Sequence, residues 1–225
     1  LSIDVKKGVR VGKEISFEEL DQFDAVFLSP GAGLSLSLGI EGEDLKKVWR
    51  GGDFLDRIHS GDKIRIGKEA IVIGGGNTAM DAVRSARRSG AQNAFILYRR
   101  GLEEMPSRPE EIEECTEEGI SIHTLTQPIR FIGESGRVKT IECIKMRLTE
   151  PDESGRRKTE SIPGSEFTID VDAVITALGQ EADWACLTSG CACTLTGWGT
   201  MNVDPLTLQS DDPDIFAGGD AVRGP

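Results

Sequence analysis

The stretch Ala70-Ile71-Val72-Ile73-Gly74-Gly75-Gly76-Asn77-Thr78-Ala79-Met80-Asp81 runs from β-branched residues through a glycine turn into a helix-forming segment. It is a variant of G-x-G-x-x-G with alanine in last place, carried by Gly74, Gly76 and Ala79. Gly74 permits a tight turn out of a strand, Gly76 lets a pyrophosphate approach the backbone, and Ala79 lets the helix pack closely on the strand. Gly75 lies within the same turn. Asn77 and Thr78 open the helix, so their backbone N–H groups would face a phosphate at its positive end. An N-cap role for Asn77 is compatible with this, because a cap residue also sits beside the ligand.

Outward from the turn the order is regular. Strand 69–73 leads to helix 77–89, which Gly90 stops, and strand 94–98 follows. Ser107-x-x-Glu110, with Pro109 in the first turn, reads as a capping box for a second helix ending at Gly119. Residues 120–124 form the third strand. This βαβαβ order requires right-handed crossovers and a parallel sheet. The expectation is an α/β, Rossmann-like sheet with helices on both faces, its core containing Val72, Ile96 and Ile122. Residues 129–133, 138–148 and 161–169, separated by short turns, read as a three-stranded antiparallel meander. Residues 172–179 form a buried strand ending in glycine, and 214–220 repeat that form. Upstream, 9–15 reads as a strand, Ser16-Phe17-Glu18-Glu19 as a capping box, 25–28 as a buried strand, 34–51 as surface loop and 53–59 as a short helix. The expected division is a connector and partial domain over 1–62, a nucleotide domain over 63–179 and a returning segment over 180–225.

The 225 residues carry a net charge of −12, which argues against nucleic acid or an anionic membrane as the main partner. No apolar run approaches the roughly 18 residues that span a bilayer. The first residues do not resemble a secretion signal, and a cytoplasmic location is expected. Cys115, Cys143, Cys186, Cys191 and Cys193 include no C-x-x-C pair, so neither a zinc site nor a disulfide framework is expected. The cluster Cys186, Cys191 and Cys193 could hold a metal or act in redox chemistry, but the favoured reading is buried or incidental thiols. His59 and His123 read as structural or surface residues, and Trp184 and Trp198 as packing residues. The glutamates between 110 and 118 read as a solvated helix face. The second strand runs into Tyr98-Arg99-Arg100, about where NAD-specific domains hold an acidic residue for the ribose 2′-OH. An arginine there can grip a 2′-phosphate, Arg99 before Arg100.

Six segments in order carry a family resemblance: 74–81, Tyr98-Arg99-Arg100, Glu104-Met105-Pro106, Ile162-Pro163-Gly164-Ser165, Thr176-Ala177-Leu178-Gly179-Gln180 and Phe216-Ala217-Gly218-Gly219-Asp220. From about Val9 to Pro225 the chain resembles the two-dinucleotide flavoprotein reductases, in particular the glutamate synthase small (beta) subunit group. The resemblance implies that the inner domain holds NADPH and that the flanking pieces belong to a discontinuous FAD domain. It counts Ala177 and Gly179 with the nucleotide site, and Gly218, Gly219 and Asp220 with the flavin, Asp220 at the ribityl chain. Hydride would pass from nicotinamide to flavin, and electrons onward to iron–sulfur clusters on a larger subunit or another segment. No side chain here is expected to act as acid, base, nucleophile or metal ligand. The pattern departs from the family in lacking a second G-x-G-x-x-G upstream. A piece of a longer protein is therefore expected, colourless and unable to oxidise NADPH by itself. The alternative is a Rossmann-type module that binds a nucleotide or docks a partner without turnover.

Overall fold

Ala70 to Ile73 are buried on both sides of their strand, and the computed structural model shows what covers each. It describes residues 3–152, 157–185 and 191–225. The chain divides into two compact units, residues 35–179 and residues 1–34 with 180–225. In the first residues lies β1 (Val26–Leu28), and β2 (Leu34–Ser35) leads into the larger unit. There β3 (Val48–Arg50) precedes α1 (Gly51–His59), β4 (Glu69–Ile73) precedes α2 (Asn77–Arg88), β5 (Asn93–Leu97) precedes α3 (Pro109–Glu117), and β6 (Ser121–His123) follows. Next come β7 (Thr126–Glu134), β8 (Arg137–Pro151), β9 (Arg157–Ser161), β10 (Phe167–Asp170) and β11 (Ala173–Thr176). Then β12 (Gln180–Glu181) leads to β13 (Ile215–Ala217) and the short α4 (Asp220–Arg223).

The parallel sheet has the order β3-β11-β4-β5-β6. Its register sets Ile175, Val72, Ile96 and Ile122 side by side, as the sequence leads one to expect of its core. Successive strand residues face opposite ways, so Ala70 and Val72 meet Phe54, Met80, Val83 and Cys115 on the helical side. Ile71 and Ile73 meet Phe131, Val138, Ile141 and Cys143 of the antiparallel strands on the other. In the larger unit the helices thus lie on one face, and an antiparallel sheet takes the place of the helix layer expected on the second. Residues 161–169 hold the ends of two strands, and β9 and β10 both pair with β8.

Each helix ends where the backbone can turn back on itself. Gly90 and Ala91 N–H donate to the carbonyls of Arg87 and Ala86, and Gly119 and Ile120 N–H to those of Thr116 and Cys115, satisfying last-turn carbonyls in the Schellman pattern. Arg84 of α2 joins Glu111, Glu114 and Glu118 at 3.5, 2.6 and 2.8 Å, so part of the expected solvated glutamate face fastens α3 to α2.

The structure corrects the upstream reading. Residues 48–50, expected as loop, are the edge strand β3, and they draw α1 into the larger unit ahead of the expected boundary at 63. Residues 9–15 contain only an isolated bridge between Val11 and Ile15. The 16–19 box is half made: Ser16 N–H donates to Glu19 Oε1 at 2.9 Å, while Phe17 holds the N-cap position of a 3-10 turn. In the smaller unit β1 pairs in parallel with β13, yet Phe27, expected to be buried, is largely exposed. Trp198 is 87% exposed and packs against little, whereas Trp184 donates its indole N–H to the Gly199 carbonyl at 2.7 Å.

Ile96 is fully buried at the centre of the parallel sheet. Ile96→Ala is expected to cost about 2–5 kcal/mol, read as a fall in the urea midpoint. A loss below about 1 kcal/mol would remove Ile96 from the core.

Candidate functional site

The three glycines of the turn serve different ends. Gly74 has φ +147, and a Cβ there would lie 2.1 Å from the carbonyl oxygen of Ala177. Gly75 would drive a Cβ to 2.5 Å from the Tyr98 ring. Both are glycines because other parts of the protein press against them. Gly76 is extended, with φ −93 and ψ 177, and the nearest atom to its missing Cβ is Pro106 Cγ at 3.9 Å. No neighbour in the protein requires a glycine there. The position keeps a space open.

Gly76 holds the N-cap position of α2, and its carbonyl accepts from the N–H groups of Ala79 and Met80. The N–H groups of Gly76, Asn77 and Thr78 find no acceptor among the described residues. These donors stand at the positive end of a helix beside an unfilled space, which is the chemistry of an anion cradle. Asn77 does not cap the helix. Its Oδ1 accepts from Arg108 N–H at 3.3 Å. Ala79 is fully buried, as close helix–strand packing requires.

The segment after β5 lies over this turn. Tyr98 is buried against Gly75 and donates its hydroxyl proton to the Glu104 carbonyl at 2.7 Å. Burial pushes the Tyr98 phenol up, and the Arg100 and Arg99 charges partly oppose this. Arg99 is exposed and enters no salt bridge among the described residues. Arg100 is half-buried, and its buried Nε has no partner among the described residues. Ser107 N–H donates to the Gly75 carbonyl at 3.2 Å. The expected capping box does not form: Arg108 is the N-cap of α3, and the buried Ser107 Oγ is unpartnered among the described residues.

The end of β11 completes the surroundings. Ala177 N–H donates to the Ile73 carbonyl at 2.7 Å, and Gly179, at φ +111, accepts from Leu36 N–H at 3.1 Å. A Cβ on Gly51 would lie 3.2 Å from both Thr78 Cγ2 and Ala177 Cβ, so α1 begins beside the start of α2. The Gly51-Gly52 pair that opens the amphipathic α1 is the sequence signal for this close approach.

In the smaller unit Gly218 donates to the Leu28 carbonyl at 3.1 Å, and a Cβ on it would lie 2.7 Å from Phe27 Cζ. Gly219 has φ +70, and Asp220 stands exposed at the head of α4. A cavity of about 670 Å³ is lined by Arg10, Lys13, Phe17, Ser29 and Trp184, with Arg10 held to Asp183 at 2.6 Å. Cys191 and Cys193, expected as free thiols, are joined by a disulfide across a Cα–Cα distance of 5.2 Å. Cys186 lies outside the described residues. Burial pushes the Cys115 thiol up to about 11 and Cys143 up to about 12, which keeps both unreactive. Among the described residues no cluster of His, Cys, Asp or Glu could hold a metal ion.

A parallel sheet whose glycine turn opens a helix at the strand ends is the architecture of the dinucleotide-binding α/β proteins. The chain belongs to the pyridine nucleotide-disulphide oxidoreductase family, whose sequence profile matches residues 1–225. It is 41% identical over 250 residues to the NADPH-Fe(3+) oxidoreductase subunit beta of Geobacter sulfurreducens, covering 100% of this chain and 37% of that protein. It is 36% identical over 231 residues to the glutamate synthase [NADPH] small chain of Halomonas elongata, covering 96% and 49%. The chain therefore spans between about a third and a half of these relatives. FprA of Mycobacterium tuberculosis in complex with NADPH superposes with a TM-score of 0.75 at 21% identity, covering 96% of this chain and 62% of that one. That likeness confirms the fold.

The two outer glycines of the motif separate by stability. Gly74→Ala is expected to cost about 1–3 kcal/mol through strain and overlap with Ala177. Gly76→Ala should stay within about 0.5 kcal/mol of the parent. Urea unfolding of both variants checks this, and equal losses would refute the division of roles.

Proposed function

We propose that residues 35–179 bind NADPH and that the whole protein is an FAD-dependent oxidoreductase. The observation that carries this reading is the open space at Gly76, where the N–H groups of Gly76, Asn77 and Thr78 find no acceptor among the described residues, at the same strand-end edge of the sheet as Arg99 and Arg100. The N–H groups of Gly76, Asn77 and Thr78 would hold the pyrophosphate, with Gly74, Gly75 and Ala79 shaping the turn. Arg99, with Arg100, would hold the 2′-phosphate, and Tyr98 would set their backbone. Ala177 and Gly179 would border the nucleotide at the end of β11.

The nucleotide and the flavin supply the hydride chemistry when bound, so this chain binds and orients and need not exchange a proton itself. The smaller unit suits part of a flavin site. Its cavity is lined by Trp184, Phe17 and Ser29, with Arg10 paired to Asp183 and Lys13 to Glu14, while Gly218, Gly219 and Asp220 stand at the end of β13. The relatives' names, a beta subunit and a small chain, support a larger partner for the whole protein; iron–sulfur centres there, or on another segment, are the electron acceptors that the family resemblance implies. A cytoplasmic location goes with this reading; among the described residues no helix is long and apolar enough to cross a membrane.

Titration of NADPH and NADH into the full-length protein should show tighter binding of NADPH. Arg99→Ala should remove most of the difference, since a charge-assisted contact contributes about 1.5–3 kcal/mol before screening. Equal affinities in the parent would overturn the NADPH assignment. The full-length protein should also carry flavin absorbance that NADPH bleaches. Nucleotide binding without flavin would favour a non-catalytic binding module.

A further inference from the structure

Near the arginines that would receive the 2′-phosphate sits a carboxylate that ought to compete for them. Glu104 follows the 99–101 turn, and a Cβ on Gly101 would lie 2.5 Å from its Oε2, so the carboxylate folds back over that turn. The Tyr98 hydroxyl feels Arg100, Arg99 and Glu104 together, which places the four groups in one electrostatic neighbourhood. Glu104 thus lies over the residue next to the half-buried Arg100, whose Nε has no partner among the described residues. The carboxylate is engaged from another side. Arg157 Nη1, on β9, stands 3.8 Å from Glu104 Oε1.

The β8–β9 hairpin brings that guanidinium there. Arg147 on β8 holds Glu160 on β9 at 3.1 Å, and Leu148 Cδ1 would lie 3.6 Å from a Cβ on Gly101. A 3.8 Å pair whose arginine side chain is 44% exposed contributes little to stability. Its effect is on the local charge. With Arg157 the group of Arg99, Arg100, Glu104 and Arg157 carries +2, which matches a phosphate monoester of about −1.5 to −2. Without Arg157 it carries +1, and Glu104 is free to occupy an arginine.

Resting on the NADPH reading above, we propose that Arg157 is a specificity-determining residue for the 2′-phosphorylated dinucleotide. It acts through Glu104, by keeping that carboxylate off Arg99 and Arg100. It is a positioning residue and need not touch the nucleotide.

The test is equilibrium titration of NADPH and NADH into the full-length protein and three variants: Arg157→Gln, Glu104→Gln and the double variant. Arg157→Gln should weaken NADPH about three- to tenfold, the size of one partly screened charge. NADH should change by less than twofold on this account, because it has no 2′-phosphate to present to the arginines. The double variant should recover NADPH binding, since no carboxylate remains to compete. If Arg157→Gln leaves NADPH unchanged, weakens both nucleotides alike, or is not rescued by Glu104→Gln, the proposal is overturned. A parent protein that binds neither nucleotide, or both equally, fails the NADPH reading itself, and that outcome is visible before any variant is made.

Discussion

The approach of Ala177 to the Ile73–Gly74 peptide is the contact on which the larger unit depends. Ala177 N–H donates to the Ile73 carbonyl, and the Ala177 carbonyl occupies the space where a Gly74 side chain would stand. This holds β11 beside β4 through the last residue of each strand. It also pins the point where the chain leaves the sheet and α2 begins, with backbone N–H groups that find no acceptor among the described residues. Because β11 comes after the whole antiparallel group, the turn takes this form only when a strand about a hundred residues away in the chain has docked. Gly51, packed on Ala177 and Thr78, brings the start of α1 to the same point.

A second layer of constraint lies over the turn. Tyr98 fills the space above Gly75 and fastens the Glu104 carbonyl, Ser107 N–H returns to the Gly75 carbonyl, and Asn77 Oδ1 takes the Arg108 N–H. The segment between β5 and α3 is thus laced to the glycine turn at three places, and Tyr98 ties it to itself at Glu104. It is a connection without regular structure beyond a 3-10 turn at Leu102–Glu104. Such a segment keeps its arginines in place only through contacts of this kind, because exposed side chains have too much rotamer freedom to be placed by the backbone alone.

The antiparallel sheet does more than cover the second face. Its β8–β9 hairpin reaches the 99–104 turn through Leu148 and Arg157, so the packing layer also sets the charge beside the arginines. The smaller unit offers less. A two-stranded parallel pair cannot bury both of its faces, and the exposed ring of Phe27 over Gly218 reflects that. It is consistent with a chain spanning between a third and a half of its curated relatives.

Much of the larger unit was legible in the sequence because its signals are local. The run Ala70–Ile73, the three glycines and the helix stops at Gly90 and Gly119 act within a few residues of themselves, and the alignment of Val72, Ile96 and Ile122 follows from parallel βαβ pairing. What the sequence could not disclose depended on partners far away in the chain. Val48-Trp49-Arg50 has no periodicity of its own and is a strand only because Val174, Ile175 and Thr176 offer it an edge. Ser107 carries a capping signature, yet its N–H is taken by Gly75 and the helix starts one residue later. The choice of an antiparallel sheet over helices for the second face was likewise tertiary, since Ile71 and Ile73 ask only for apolar cover. By itself the sequence determined where a glycine turn would leave the sheet and open a helix. The tertiary structure decided which of its glycines the protein needs for packing, and which single one it leaves open, because only neighbours distant in the chain reveal whether a missing Cβ would meet another atom or empty space.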